Sequence, residues 1–180
     1  RGGVELERVR FTSGGVERTL VFERLAPRVA LEAQFVPFLA RKTDRVPVVH
    51  ARGIPRSVAP APSWLLVEDL VDAPSACDVD PVRALEAKLT VERAVAGDVP
   101  ALRALGVPER PPRAIAEEVA AAVAHDPDGE AIAGEARESA RRLGKWPTAL
   151  VHGDLVCVNA AMTDRGAVLR RWGRAHIGCA

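Results

Sequence analysis

The chain has 180 residues, 48% of them hydrophobic, enough for one ordinary domain or two small lobes with a packed core. Its 25 basic and 24 acidic residues leave a net charge of +1, which gives no global field to hold nucleic acid or an anionic membrane. No apolar run reaches the roughly 18 residues of a membrane span, and no secretory signal is read at the start. The three cysteines, Cys77, Cys157 and Cys179, are scattered without metal-ligand spacing, so a reducing, cytoplasmic setting is expected.

In chain order, residues 4–11 alternate apolar and polar as a half-buried strand does. Thr12-Ser13-Gly14-Gly15 supplies turn chemistry, and 18–25 returns as a second strand, which together predict a β-hairpin. Residues 28–41 carry a helical pattern in which Pro37 predicts a kink or an early break. Strands are expected at 45–50 and 63–70, joined by a proline-rich loop over 55–62. After Asp72 the composition turns to Ala, Arg and Glu with helical periodicity, and helices are expected near 81–96, 100–105, 113–125 and 129–144. A short strand over 148–152 and a polar loop follow. A second hairpin is then read from 157–162 and 167–172 across the turn Thr163-Asp164-Arg165-Gly166. The order is a β-rich first third, a helical middle and a late hairpin: an α+β chain with a hinge near 68–72.

The most informative segment is 148–173. His152-Gly153-Asp154 stands five residues before Asn159. Phosphoryl transfer needs a carboxylate to accept a hydroxyl proton and an oxygen ligand for Mg²⁺ nearby, and an Asp and an Asn on one short loop can meet both demands. The run His-Gly-Asp-Leu, Asn159, an apolar strand, a Thr-Asp-Arg-Gly turn and Trp172-Gly173 resembles the aminoglycoside phosphotransferase and choline kinase-like family. The resemblance also takes in 19–27 as the nucleotide-side strand, 31–40 as the following helix and 64–70 as the hinge strand, in the right order. It implies a protein-kinase-like two-lobe fold, with an antiparallel-sheet N-lobe over 1–70 and a partial, mainly helical C-lobe over 71–180. The catalytic loop would be 150–160 and the metal hairpin 160–173. It implies ATP and Mg²⁺ as cofactors and a small polar hydroxyl-bearing substrate, with Asp154 as catalytic base, His152 bracing the loop and Asn159 as a metal ligand. Glu32 would be the helix glutamate that holds the nucleotide lysine, and the backbone of Glu68, Asp69 and Leu70 would meet the adenine edge. Against the family's extent, the chain is expected to be incomplete at both ends.

Two positions depart from the pattern. Glu23 stands where the family has its phosphate-gripping lysine, and Arg171 where it has a metal-binding Asp. Like charges about 4 Å apart repel by roughly 4 kcal/mol at an effective dielectric of about 20. Each change opposes Mg²⁺-nucleotide binding. Because the two positions face each other in this fold, two arrangements are open: Glu23, with Glu32, pairs with Arg171 and fills the phosphate pocket, or the two side chains swing to solvent and never meet. Two functions follow: a small-molecule phosphotransferase with impaired catalysis, or a pseudokinase-like binding or regulatory protein or non-catalytic remnant with a closed phosphate site. Plainer readings stand beside these. Asp154 alone would be a loop carboxylate, Asn159 a turn residue and Glu32 a solvated helix residue. His50, His125 and His176 read as surface or packing residues, Cys157 as a small core residue, and Trp64, Trp146 and Trp172 as core candidates. A zinc site from His152, Asp154 and His176 lacks compact ligand spacing.

Overall fold

The computed structural model describes residues 4–54 and 62–179, so most of the proline-rich segment read as a loop lies outside the described residues. Contacts divide the chain into two compact units. One comprises residues 1–95 and 152–174, the other 96–151 and 175–180.

In the first unit, β1 (Val4–Ser13) and β2 (Val16–Leu25) pair antiparallel, with Ser13 opposite Val16. That register leaves a two-residue loop, Gly14-Gly15, whose φ of 61° and 76° is the left-handed pair a tight hairpin turn of matching twist requires. With β3 (Val49–Gly53) and β4 (Ser63–Glu68), the sheet runs in the order β1-β2-β4-β3, antiparallel throughout. Alternation puts Val21, Glu23 and Leu25 on one face of β2, where Val21 and Leu25 are buried. Arg24 points the other way and pairs with Glu5 at 3.0 Å.

Helix α1 (Glu32–Ala40) packs on β3 and β4 through Phe35, Val36 and Leu39. Pro37 does not break it. The proline lacks the N–H that would bond to the Ala33 carbonyl, and that carbonyl instead accepts from the Arg52 guanidinium at 3.2 Å. The early break predicted from sequence fails because a side chain from β3 replaces the missing donor.

After the sheet come α2 (Ala76–Val79) and α3 (Val82–Ala94). The first is entered through a capping box between Ser75 and Asp78, and the second packs on β7 (Gly166–Leu169). β7 forms a hairpin with β6 (Ala160–Thr163). This hairpin is shorter than predicted at both outer ends. Residues 157–159 form a 3₁₀ turn, and Arg171, at φ 60°, leaves the extended conformation. Cys77 and Cys157 form a disulfide with Cα atoms 5.0 Å apart. Cys157 is therefore not a lone core thiol, and the ground for expecting a reducing setting, unpaired cysteines, is removed.

The second unit holds α4 (Val99–Ala104), α5 (Pro112–Ala122) and α6 (Gly129–Leu143). Helices α5 and α6 pack on each other, and Arg137 and Glu117 bond at 3.0 Å. Strand β5 (Thr148–Val151) pairs antiparallel with β8 (His176–Cys179). Trp146, expected in the core, is 59% exposed. Among the described residues no helix is long and apolar enough to cross a membrane.

Candidate nucleotide site

The segment 152–174 is shaped by a buried histidine. The His152 ring accepts the Asp154 backbone N–H at Nδ1 (3.3 Å) and bonds the Arg170 carbonyl through Nε2 (2.9 Å), which fixes a neutral ring with its proton on Nε2. Burial acts in the same direction, lowering the pKa of the ring. Trp172 stacks against it with ring centres 4.4 Å apart and meets Phe35 edge-on at 5.7 Å. The Trp172 indole N–H donates to the Leu169 carbonyl at 3.0 Å. Between His152 and Asp154 the chain turns through Gly153 at φ 76°, where a Cβ would lie 2.1 Å from the Arg174 carbonyl oxygen.

This frame brings Asp154 and Asn159 together. The Asn159 side-chain amide donates to the Asp154 carbonyl at 2.9 Å and to Asp154 Oδ2 at 3.3 Å, while the Asn159 carbonyl accepts the Arg170 N–H at 2.8 Å. Asn159 is buried, and His152 is only 1% exposed. Asp154 alone of the three reaches the cavity.

That cavity, of about 570 Å³, is lined by residues of the first unit, among them Glu23, Glu32, Glu68, Leu70, Asp154 and Arg171. Such a volume suits a small-molecule ligand. The geometry thus gathers most of the residues picked from sequence. Asp69 is not among the lining residues; its carboxylate holds Arg8 at 2.8 Å and the Val71 N–H at 3.0 Å. Glu68 is committed too, since it accepts the Val48 N–H at 2.8 Å and pairs with Arg165. The Leu70 carbonyl accepts from the Arg170 guanidinium at 3.0 Å.

Glu23 and Arg171 both line the cavity, but they form no ion pair within 4.0 Å. The pairing read from sequence is replaced by a looser arrangement. Burial pushes the Glu23 carboxyl up, and the charges of Arg170 and then Arg171 draw it back. Glu32 turns to the backbone instead. It is buried, its carboxyl is pushed up to about 7 by burial and by the neighbouring Glu23 charge, and the backbone N–H groups of Trp172 and Gly173 oppose the shift. A Cβ on Gly173 would sit 2.8 Å from Glu32 Oε1 and 2.3 Å from Val29 Cγ1, so the turn closes tightly on α1. Glu32 is buried against the 171–173 turn rather than a solvated helix residue.

Sequence reasoning missed Arg170, and with it Arg28 and Arg174 on the cavity wall. The Arg170 guanidinium donates to the Leu70 and Val158 carbonyls at 3.0 and 3.1 Å, and its buried Nε has no partner among the described residues. The only signal in the sequence was two consecutive arginines ending an apolar strand.

The donors do not fit Mg²⁺. An octahedral, oxygen-rich shell is required. Of the Asp154–Asn159 pair only Asp154 reaches the cavity, and the hairpin position that should add a carboxylate holds Arg171. No group of three or more His, Cys, Asp or Glu among the described residues could hold a metal ion.

No protein-family model matches the chain, and no curated protein does. Solved structures do. The macrolide 2′-phosphotransferase of Brachybacterium faecium, as apoenzyme, aligns over 98% of this chain and 64% of its own, with a TM-score of 0.60 and 20% identity. A spectinomycin phosphotransferase in complex with ADP and spectinomycin aligns over 99% and 64%, with a TM-score of 0.56 and 10% identity. A putative aminoglycoside phosphotransferase of Ralstonia eutropha aligns over 99% and 61%, with a TM-score of 0.53 and 15% identity. The chain spans less than two-thirds of each of these proteins. With its antiparallel sheet, helices and late hairpin, and on these alignments, the chain has the α+β, protein-kinase-like fold of the aminoglycoside and macrolide phosphotransferases.

Proposed function

We propose that the chain is part of an ATP-dependent phosphotransferase acting on a hydroxyl of a small polar molecule, with catalysis slowed by Glu23 and Arg171. The observation that carries this reading is the Asp154–Asn159 pair, locked by His152, with Asp154 presented to the cavity. Asn159 engages Asp154 Oδ2, and the other carboxylate oxygen is the proton acceptor. In the proposed step Asp154 takes the hydroxyl proton as the substrate oxygen bonds to the γ-phosphorus. The bond from that phosphorus to the bridging oxygen breaks, and ADP leaves. The lobes of this reading are residues 1–70 on the nucleotide side and 71–180 on the substrate side.

The test is ADP release from ATP with a panel that includes an aminoglycoside, a macrolide and spectinomycin. Slow, acceptor-dependent release is expected, and Asp154→Asn should lower it by roughly 10²–10⁴-fold. Absence of any Asp154-dependent release overturns the reading. A second reading, a pseudokinase-like binding or regulatory protein, is favoured by the carboxylate at position 23 and the guanidinium at 171, which together oppose a metal–nucleotide complex.

A further inference from the structure

We propose that the cavity lined by Glu23, Arg28, Arg170 and Arg171 takes a phosphate-bearing ligand without a divalent cation, the Arg171 guanidinium supplying the positive charge there. This rests on the reading of the cavity as a nucleotide site, and it departs from the metal requirement of the fold.

Four guanidiniums and four carboxylates line the cavity: Arg28, Arg170, Arg171 and Arg174 against Glu23, Glu32, Glu68 and Asp154. The formal balance is even, but the commitments are not. Glu68 is paired with Arg165, which is not on the wall. Glu32 is turned to the backbone N–H groups of Trp172 and Gly173. Asp154 is bonded to the Asn159 amide. Glu23 and Asp154 keep charges that no ion pair within 4.0 Å among the described residues neutralises, and Glu23 faces the hairpin arginines. On the cationic side, Arg170 gives its hydrogen bonds to two carbonyls, which accept protons but bring no neutralising charge. Neither Arg28 nor Arg171 forms an ion pair within 4.0 Å among the described residues. Arg28, Arg170 and Arg171 are therefore guanidiniums on the wall that no ion pair within 4.0 Å among the described residues neutralises.

The placement of Arg171 is also fixed. Its backbone stands at φ 60°, a left-handed conformation uncommon outside glycine. The next two residues are held by the Glu32 carboxyl, the Val29 contact and the buried Trp172 ring. A guanidinium mounted on a rigid turn loses less freedom on binding than one on a loose loop. Its planar fork matches two phosphate oxygens at once. A divalent cation would have to approach Arg171 and Arg170 against like charge, and of the Asp154–Asn159 pair only Asp154 reaches the cavity to receive it. The same wall accepts a polyphosphate directly.

The experiment is calorimetric titration of the chain with ATP, and separately with inorganic pyrophosphate, in EDTA and in excess Mg²⁺. Binding in EDTA at least as tight as in Mg²⁺ is expected. Arg171→Gln should weaken the EDTA affinity by roughly 10–100-fold, the usual range for losing a charged hydrogen bond, and Arg171→Lys should recover part of it. Unchanged melting of both variants excludes a folding defect. Binding that requires Mg²⁺, no binding of either probe in either condition, or an unchanged affinity in Arg171→Gln would each overturn the proposal. The two readings fail separately. Metal-dependent binding with phosphoryl transfer leaves the enzyme and removes this inference, whereas metal-free binding without transfer does the reverse.

Discussion

Glu32→Gln should make the protein more stable at pH 8 and leave it nearly unchanged at pH 5. Glu32 is 4% exposed and sits in the first turn of α1, with Glu23 as a like-charged neighbour. Its carboxyl is pushed from 4.5 up to about 7, so the folded chain keeps a proton that the unfolded chain gives up. The sign follows. The stability tied to this proton is fully present below pH 4.5 and is lost as the pH rises through 7. At about 1.4 kcal/mol per pKa unit the loss is roughly 3 kcal/mol. Glutamine is neutral at every pH and keeps one oxygen for the Trp172 and Gly173 N–H groups, at a cost of about 1 kcal/mol for the weaker bonds. The net gain at pH 8 is then about 2 kcal/mol. At 2–4 °C per kcal/mol for a chain of this size, that is a rise of about 4–8 °C in Tm. The assay is thermal unfolding of wild type and variant across pH 5–8. The difference between the two isolates Glu32, because His152 and the other titrating groups are common to both. A difference that stays flat from pH 5 to pH 8 refutes the reasoning.

Three further outcomes are expected. Cys77→Ser should destabilise the first unit: the disulfide closes a loop of 80 residues, for which chain entropy gives about 4–5 kcal/mol as an upper figure. Urea titration with and without a dithiol reductant measures it, and the variant should be insensitive to reductant. Gly153→Ala should displace the Asp154 loop, because the added Cβ meets the Arg174 carbonyl at 2.1 Å from a backbone already at φ 76°; a loss of Asp154-dependent ADP release larger than the loss of Tm would show it. Glu23→Lys with Arg171→Asp should create Mg²⁺-dependent ATP binding beyond either single change, since the two positions line one cavity; a double variant no better than its better single would refute the coupling.

What was legible in the sequence followed from local chemistry. Gly14-Gly15 between alternating runs specifies the hairpin, and the His-Gly-Asp spacing specifies the loop, because each motif works through neighbours in sequence. What was not legible depends on partners distant in the chain. Nothing near Pro37 shows that Arg52 will satisfy the carbonyl it strands. Nothing near Cys157 announces Cys77, 80 residues away. Strand β8 is buried along almost its whole length and so lacks the two-residue alternation that reveals a half-exposed strand. Glu23 and Arg171 line one cavity, yet they form no ion pair within 4.0 Å. Charge sign at facing positions can be read from a sequence, but whether two side chains meet depends on what else the turn must hold.

The 171–173 turn shows what decides the outcome. In the paired arrangement Glu32 would join Glu23 against Arg171. Instead the Glu32 carboxyl ties the backbone of Trp172 and Gly173, and Trp172 fills the space between Phe35 and His152. Arg171, which enters this turn, has a left-handed backbone at φ 60°. Such a conformation is adopted more readily by Asp than by most residues. The turn thus retains a backbone suited to an aspartate while presenting a guanidinium. A single change at position 171 would reverse the charge that residue brings to the cavity wall, which makes Arg171→Asp a direct test of the proposed metal-free site.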